Sequence, residues 1–208
     1  MRRETAVRNL AKVADTVDDW VALGPGAPIL EVWAWGEVLD EHAGPLDCVQ
    51  AALVVDLAVG DVTWRALPLA MVGLAPVTHL ERLPVERAWR PSRWPVWNHA
   101  IRRPVLVWDR AGPRPEAMEA LASGRGIEAH RQDAPTPALY RRQLETELEA
   151  SVAHLRRVAE GYWDPEWRFG NRGSGAHPED HLWRAVQGHL ELREAIAELG
   201  LPAAGGTA

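Results

Sequence analysis

The apolar pattern of the chain changes period near Asp133, and that change limits the folds open to it. On the N-terminal side, apolar residues come in short β-branched and aromatic runs: Ile29 to Trp35 (ILEVWAW), Val49 to Leu57 (VQAALVVDL) and Pro104 to Trp108 (PVLVW). Each run has strand length and reads as a strand with at least one buried face. On the C-terminal side, Leu144, Leu148, Val152, Leu155, Ala159 and Tyr162 recur at helical steps, and Leu182, Val186, Leu190 and Ile196 mark a second helical stripe. That spacing predicts two amphipathic helices whose stripes bury against each other, with Val186 meeting Leu148.

Punctuation residues refine the elements. Val7, Leu10, Ala14, Val17 and Val21 predict a helix from about Glu4 to Ala22, ended by Gly24-Pro25-Gly26, and Pro115 to Ser123 suits a short helix. Asp61 to Pro91 mixes prolines, tryptophans and charges without a clean period and gives no assignment. In the DAPTP stretch, Thr136 and Pro137 suit the N-cap and first residue of a helix running to about Tyr162. The glycine-rich Gly170 to Ala176 precedes Pro178-Glu179-Asp180, a favourable first turn for a helix reaching Gly200. The expected fold class is α+β, or α/β: a small mixed sheet with flanking helices over residues 1–132, an antiparallel helical hairpin over 133–201, and a disordered tail over 202–208.

Charge and cysteine usage narrow the function classes. The 208 residues carry 23 basic and 29 acidic side chains, net −6, which argues against broad, sequence-independent nucleic-acid binding on electrostatic grounds. Cys48 is the single cysteine, so the chain has no internal disulfide and no cysteine-rich zinc site. Charges run throughout Glu4 to Leu23, so neither a signal peptide nor a membrane span is expected there, and the expected location is the cytoplasm.

The stretch from Val32 to Leu57 (VWAWGEVLDEHAGPLDCVQAALVVDL) has a strand ending in glycine, a turn, and a carboxylate at the start of the next strand. It resembles the signature of minimal nucleotidyltransferases, a Gly-Ser pair followed by Asp-x-Asp on a strand. The resemblance implies that Gly36 lets backbone approach a phosphate and that Asp47 is the first metal-holding carboxylate. Glu37 stands where the serine would contact phosphate, and the second carboxylate falls on Val49, or on Gln50 if the strand shifts by one. Asp56 and Asp109 are the other acidic partners open to Asp47, and Mg²⁺ is implied only if nucleotidyl transfer is retained. Ile101 to Asp109 (IRRPVLVWD) is similar to the later strand of the same family.

Arg172 and His177 have the Arg-x(4 to 6)-His spacing of the HEPN ribonucleases, helical partners of minimal nucleotidyltransferases. That resemblance implies a general base on a 2′-hydroxyl and a guanidinium on the phosphorane. The whole chain also resembles an uncharacterised bacterial family with a PEDHLWRAV-type segment, here Pro178 to Val186.

Two Arg and Trp clusters complete the candidates. Trp163, Trp167 and Arg168, with Arg172 and His177, crowd the segment between the helices and are expected to face a concavity shared with the sheet. Trp89, Arg90, Arg93, Trp94, Trp97, Asn98 and His99 crowd the segment before the last strand, where interleaved rings and guanidinium groups either stack a ligand or stitch loops to a core. The HPEDH order from His177 to His181 is not a zinc-protease motif, and it reads as a cap plus a surface histidine, with no metal site.

The reading is a non-catalytic binding or regulatory protein on a degenerate nucleotidyltransferase-like scaffold. Its expected partner is a protein or a small anionic ligand, and assembly with further copies stays open. The alternative is an enzyme, with residual nucleotidyl transfer at Asp47 or RNA cleavage by Arg172 and His177.

Overall fold

The computed structural model describes residues 1–22, 24, 28–72, 83–172 and 177–200. The tail 202–208, Gly26 and the glycines at 173 and 175 lie outside them. The chain runs α1 (Arg3–Ala22), β1 (Ile29–Trp35), β2 (Val49–Val55), the single turn α2 (Leu69–Val72), β3 (Val85–Pro91), β4 (Val105–Asp109), β5 (Gly112–Pro113), α3 (Pro115–Ser123), α4 (Pro137–Gly161), α5 (Pro165–Gly170) and α6 (Pro178–Gly200). The fold is α+β. Among the described residues no helix is long and apolar enough to cross a membrane.

The five strands form one mixed sheet in the order β3-β2-β1-β4-β5. β1 lies antiparallel to β2 and to β4, while β2 and β3 are parallel and joined by a crossover. α1 and α3 cover one face, where Leu10, Val13 and Val17 of α1 pack with Val32, Leu53, Val107 and Leu121. These positions are mutually consistent: the helix presents a stripe at three- and four-residue steps, and the strands present every second residue.

The other face carries Trp35, Ala52, Val54 and Ala88, and it packs against Leu144 of α4 and Leu192 of α6. The helix pair therefore shares a core with the sheet. Its antiparallel register is fixed by Arg141 Nη2 donating to the Leu199 carbonyl at 2.8 Å and by a 3.0 Å contact between Ser151 Oγ and His189 Nδ1. The expected cap is present, with Thr136 Oγ1 accepting from the Leu139 amide at 3.3 Å ahead of Pro137.

One unassigned stretch gains an element and two expectations are corrected. First, the unassigned stretch contains β3, because its inward Arg90 finds a partner. Arg90 and Glu147 are fully buried and joined by two bonds of 2.6 and 2.8 Å, and the guanidinium also donates to the Pro95 and Trp97 carbonyls. Second, the buried stripe of α6 is Pro178, His181, Ala185, Gly188 and Leu192, whereas Val186 and Leu190 are exposed. The cause is Gly188, whose missing Cβ lets the helix settle on the Trp64 carbonyl and turns the small-residue face inward. On α4 the buried residues are Leu144, Glu147, Ser151 and Val158, so that stripe is rotated toward the Arg90 partner. Third, the segment between the two long helices is not a plain loop, since Pro165–Gly170 forms α5, capped by the Asp164 carboxylate on the Glu166 amide.

Candidate functional site

The hairpin end of β1 and β2 brings several of the sequence candidates together. Gly36 follows β1 with φ of 76°, a conformation that favours glycine. A Cβ at Gly36 would stand 1.5 Å from Gln50 Oε1, so the space above the glycine holds the Gln50 carboxamide. Gln50 in turn donates to Glu86 Oε2 at 2.9 Å from the paired position on β3. Glu37 and Asp47 are both exposed, the first in a 3-10 turn and the second at a bend. Both lie close enough to Cys48 to act on it: burial raises the thiol pKa most, followed by the negative charges of Glu86, Asp47 and Glu37.

Asp56 and Asp109 do not join this end. Asp109 pairs with Glu31 in the register of β1 and β4, and Asp56 follows Val55, the partner of Ile29. They therefore sit beside the start of β1, about 20 Å from Gly36 by strand rise over the seven residues of β1. Asp109 is held by Arg114 and the Ala111 amide, and Asp56 accepts from Ser92 Oγ. Among the described residues no group of three or more His, Cys, Asp or Glu side chains is placed to hold a metal ion.

The explanation of Gly36 by Gln50 makes a prediction. Gly36→Ala forces a strained φ and expels the Gln50 carboxamide, and it is expected to cost about 1 to 3 kcal/mol of stability. Denaturant midpoints measure it, and a midpoint equal to wild type would contradict this account of the glycine.

The second site is a cavity of about 220 Å³ between the crossover after β2 and the helical half. Its apolar walls include Leu57, Leu67, Pro68 and Val158, and its polar lining is His154, Arg157, Asp61, Trp167, Asn171 and His181. α4 supplies His154 and Arg157 from one face, three residues apart. α6 supplies His181 from its first turn, and α5 supplies Trp167.

His181 is 8% exposed and its Nε2 has no partner among the described residues, so the expected surface histidine is instead a buried one. The Trp167 indole meets the His181 ring edge-on with centroids 6.0 Å apart, and it lies against Gly161, where a Cβ would be 2.9 Å from the ring. His154 Nδ1 lies 3.2 Å from the Gly60 carbonyl, which fixes the proton on Nδ1 and leaves Nε2 as the lone-pair nitrogen of the neutral ring. Arg157 bonds the Gly60 carbonyl and Asp61 at the rim.

Burial lowers the pKa of both imidazoles. For His154 the next causes are Arg157, which also lowers it, and the Gly60 carbonyl, which raises it. For His181 they are Arg184, which lowers it, and Asp180, which raises it.

The other sequence candidates flank this cavity without joining it. Arg168 donates to the Tyr162 carbonyl at 3.1 Å and to Glu179 at 2.9 Å, and it stacks over the Tyr162 ring. Trp163 is 80% exposed and touches Tyr162 edge-on. Arg172 and His177 are both exposed, and His177 is tied through its backbone amide to Asp180. His154 was missed because it lies 27 residues from His181 with nothing local to link them. Only the antiparallel packing of α4 and α6 brings them to one cavity.

A family model described as Domain of unknown function (DUF7711) matches residues 1–198. The chain belongs to the DUF7711 family. No curated protein and no solved structure matches it. The DUF7711 match runs across both halves of the chain, so it takes in the Gly36 hairpin end and the His154/His181 cavity alike.

Proposed function

We propose that the chain is a non-catalytic binding or regulatory protein on a degenerate nucleotidyltransferase-like scaffold, and that it takes a small anion in the cavity of His154, His181 and Arg157. The observation that carries this reading is His181, a buried imidazole in a cavity wall whose Nε2 has no partner among the described residues. Buried polar groups are almost always satisfied, so such an orphan points to a partner supplied from outside. Protonated imidazoles and a guanidinium supply donors to an anion, and the Trp167 face and apolar walls keep water away from the bonds they make.

The enzymatic alternative has less support. Gln50 fills the space above Gly36 where a phosphate would approach, and Asp47 stands exposed without the paired carboxylate that a two-metal clamp uses. Arg172 and His177 are both exposed and neither lines the cavity, and His177 meets its wall through the backbone alone, its carbonyl accepting from the His181 amide at 3.3 Å.

The pH dependence has a definite sign. Both histidines have folded pKa values below the unfolded value of about 6.5, so the unfolded chain binds more protons as pH falls. Without ligand, their contribution to stability is complete above about pH 6.5 and is lost as pH drops through the folded values. An anion reverses this, because it favours the charged imidazoles. The titratable and charged groups facing the two rings are Arg157, His181 and Asp61 for His154, and Arg184 and Asp180 for His181. Inorganic phosphate is expected to raise the melting temperature more at about pH 6 than at about pH 8, and His154→Gln with His181→Gln is expected to abolish the difference. General salting-out by phosphate acts equally on wild type and variant, so an undiminished difference in the variant would refute the site.

A further inference from the structure

The Arg and Trp cluster before β4 is only half explained by the core. Arg90 is consumed by Glu147, and Trp94 lies beneath its guanidinium at 5.8 Å. Trp97 and Asn98, however, line a second cavity of about 380 Å³ on the opposite flank of the helix pair, where the start of α4 meets the end of α6. Ile101, Tyr140, Ala195 and Leu199 complete its apolar wall. The Trp97 and Tyr140 rings pack against each other with centroids 6.0 Å apart at 38°, so together they form one aromatic wall of the cavity. The size is that of a small-molecule pocket, and the composition fits one too: mostly apolar, with a few convergent polar groups.

Three polar features define what such a pocket would hold. Asn98 is completely buried. Its Oδ1 accepts from the Ala100 and Ile101 amides at 3.0 and 2.9 Å, while its Nδ2 has no partner among the described residues. Arg102 and Glu198, both exposed, contribute opposite charges to the same lining. Arg102 is oriented by its bond to the His99 carbonyl at 3.2 Å and by the Tyr140 hydroxyl, and a guanidinium with five donors retains capacity beyond these. Arg103 also lines the cavity, but Glu128 and the Gln132 carbonyl engage it.

We infer that this cavity binds a free α-amino acid with a large aromatic side chain, the ring lying in the cavity against the wall that Trp97 and Tyr140 form, with Leu199 at its edge, and the zwitterionic end lying between Arg102 and Glu198. A guanidinium pairs with a carboxylate through two parallel bonds, and a carboxylate accepts from an ammonium. One cation and one anion on a single rim suit a ligand bearing both charges better than a simple anion or cation. The orphan Asn98 amide lies in the wall around the ring end, where a hydroxyl or a ring face can meet it. The inference uses no residue of the His154 and His181 cavity, so the two stand or fall separately.

The test is a titration of the full-length protein with L-phenylalanine, followed by ¹H–¹⁵N correlation spectra that include side-chain amides. The Asn98 side-chain resonances and the backbone amides of residues 97–103 are expected to shift together and to saturate. 3-Phenylpropionate, which lacks the ammonium, and phenethylamine, which lacks the carboxylate, are each expected to bind at least about tenfold more weakly. Arg102→Gln and Glu198→Gln change exposed side chains, so folding is preserved. The first should remove the advantage of L-phenylalanine over phenethylamine, and the second its advantage over 3-phenylpropionate. Leu199→Trp, which fills the pocket from its exposed edge, is expected to eliminate the shifts. No saturable shift at millimolar L-phenylalanine, equal affinity for the three compounds, or binding untouched by Leu199→Trp would each overturn the inference.

Discussion

Glu147→Ala is expected to lower stability by about 3 to 5 kcal/mol, because it leaves the Arg90 guanidinium charged, buried and unpaired beneath α4. Against a total of about 5 to 15 kcal/mol for a typical domain, that is enough to populate unfolded chains at moderate temperature. The loss reaches beyond one ion pair. Arg90 also anchors the Pro95 and Trp97 carbonyls, and Gln143 Nε2 donates to Glu147 at 3.1 Å, so strand, loop and helix are joined at a single point. Arg90→Met combined with Glu147→Leu should recover most of the loss, since well-packed apolar replacements of a buried pair are often neutral or stabilising. Urea denaturation of the single and double variants measures both effects. A single variant with a wild-type midpoint would show that the sheet and helix pair do not depend on this clamp.

Gly188→Ala is the second large effect, and its sign is informative. In an exposed helix interior the change would gain about 1 kcal/mol from propensity. Here a Cβ would stand 2.3 Å from the Trp64 carbonyl oxygen and 3.1 Å from its carbon, and a backbone neighbour cannot swing aside as a side chain can. Overpacking of this kind costs about 1 to 3 kcal/mol after relaxation, which makes the substitution destabilising overall. The neighbourhood is already strained. Arg65 has φ of 62°, held there while Glu191 accepts from Arg65 Nε at 2.8 and 2.7 Å and from Trp64 Nε1 at 2.6 Å. Thermal melting of Gly188→Ala should show a clear decrease, and an increase would mean that the close approach of α6 to the crossover is wrong.

These two sites also explain what was legible in the sequence. β1, β2 and β4 were readable because unbroken β-branched and aromatic runs leave little else for the chain to do. α3 and α4 announced themselves through Pro115 and the Thr136-Pro137 cap. β3 was hidden because VERAWRP looks solvated, and the cancellation of its inward arginine by a glutamate 57 residues later cannot be read locally. The face of α6 was misjudged for a related reason. Trp183, Val186 and Leu190 form the more apolar stripe, yet the helix buries His181, Ala185 and Gly188, because close approach to the Trp64 backbone rewards small residues. Of the candidate site, Trp167 was singled out by composition and does line the cavity, whereas the HPEDH motif placed His181 on the surface. His154 carried no local signal at all.

The most direct measurement of the anion-binding reading is the titration of His154 and His181 ring protons by NMR with and without inorganic phosphate. Without phosphate both rings should titrate below the ordinary histidine value of about 6.5, as burial dictates. With saturating phosphate both should move upward together, because the bound anion stabilises each imidazolium. Titration curves of His154 and His181 that are unchanged by phosphate would contradict the proposal.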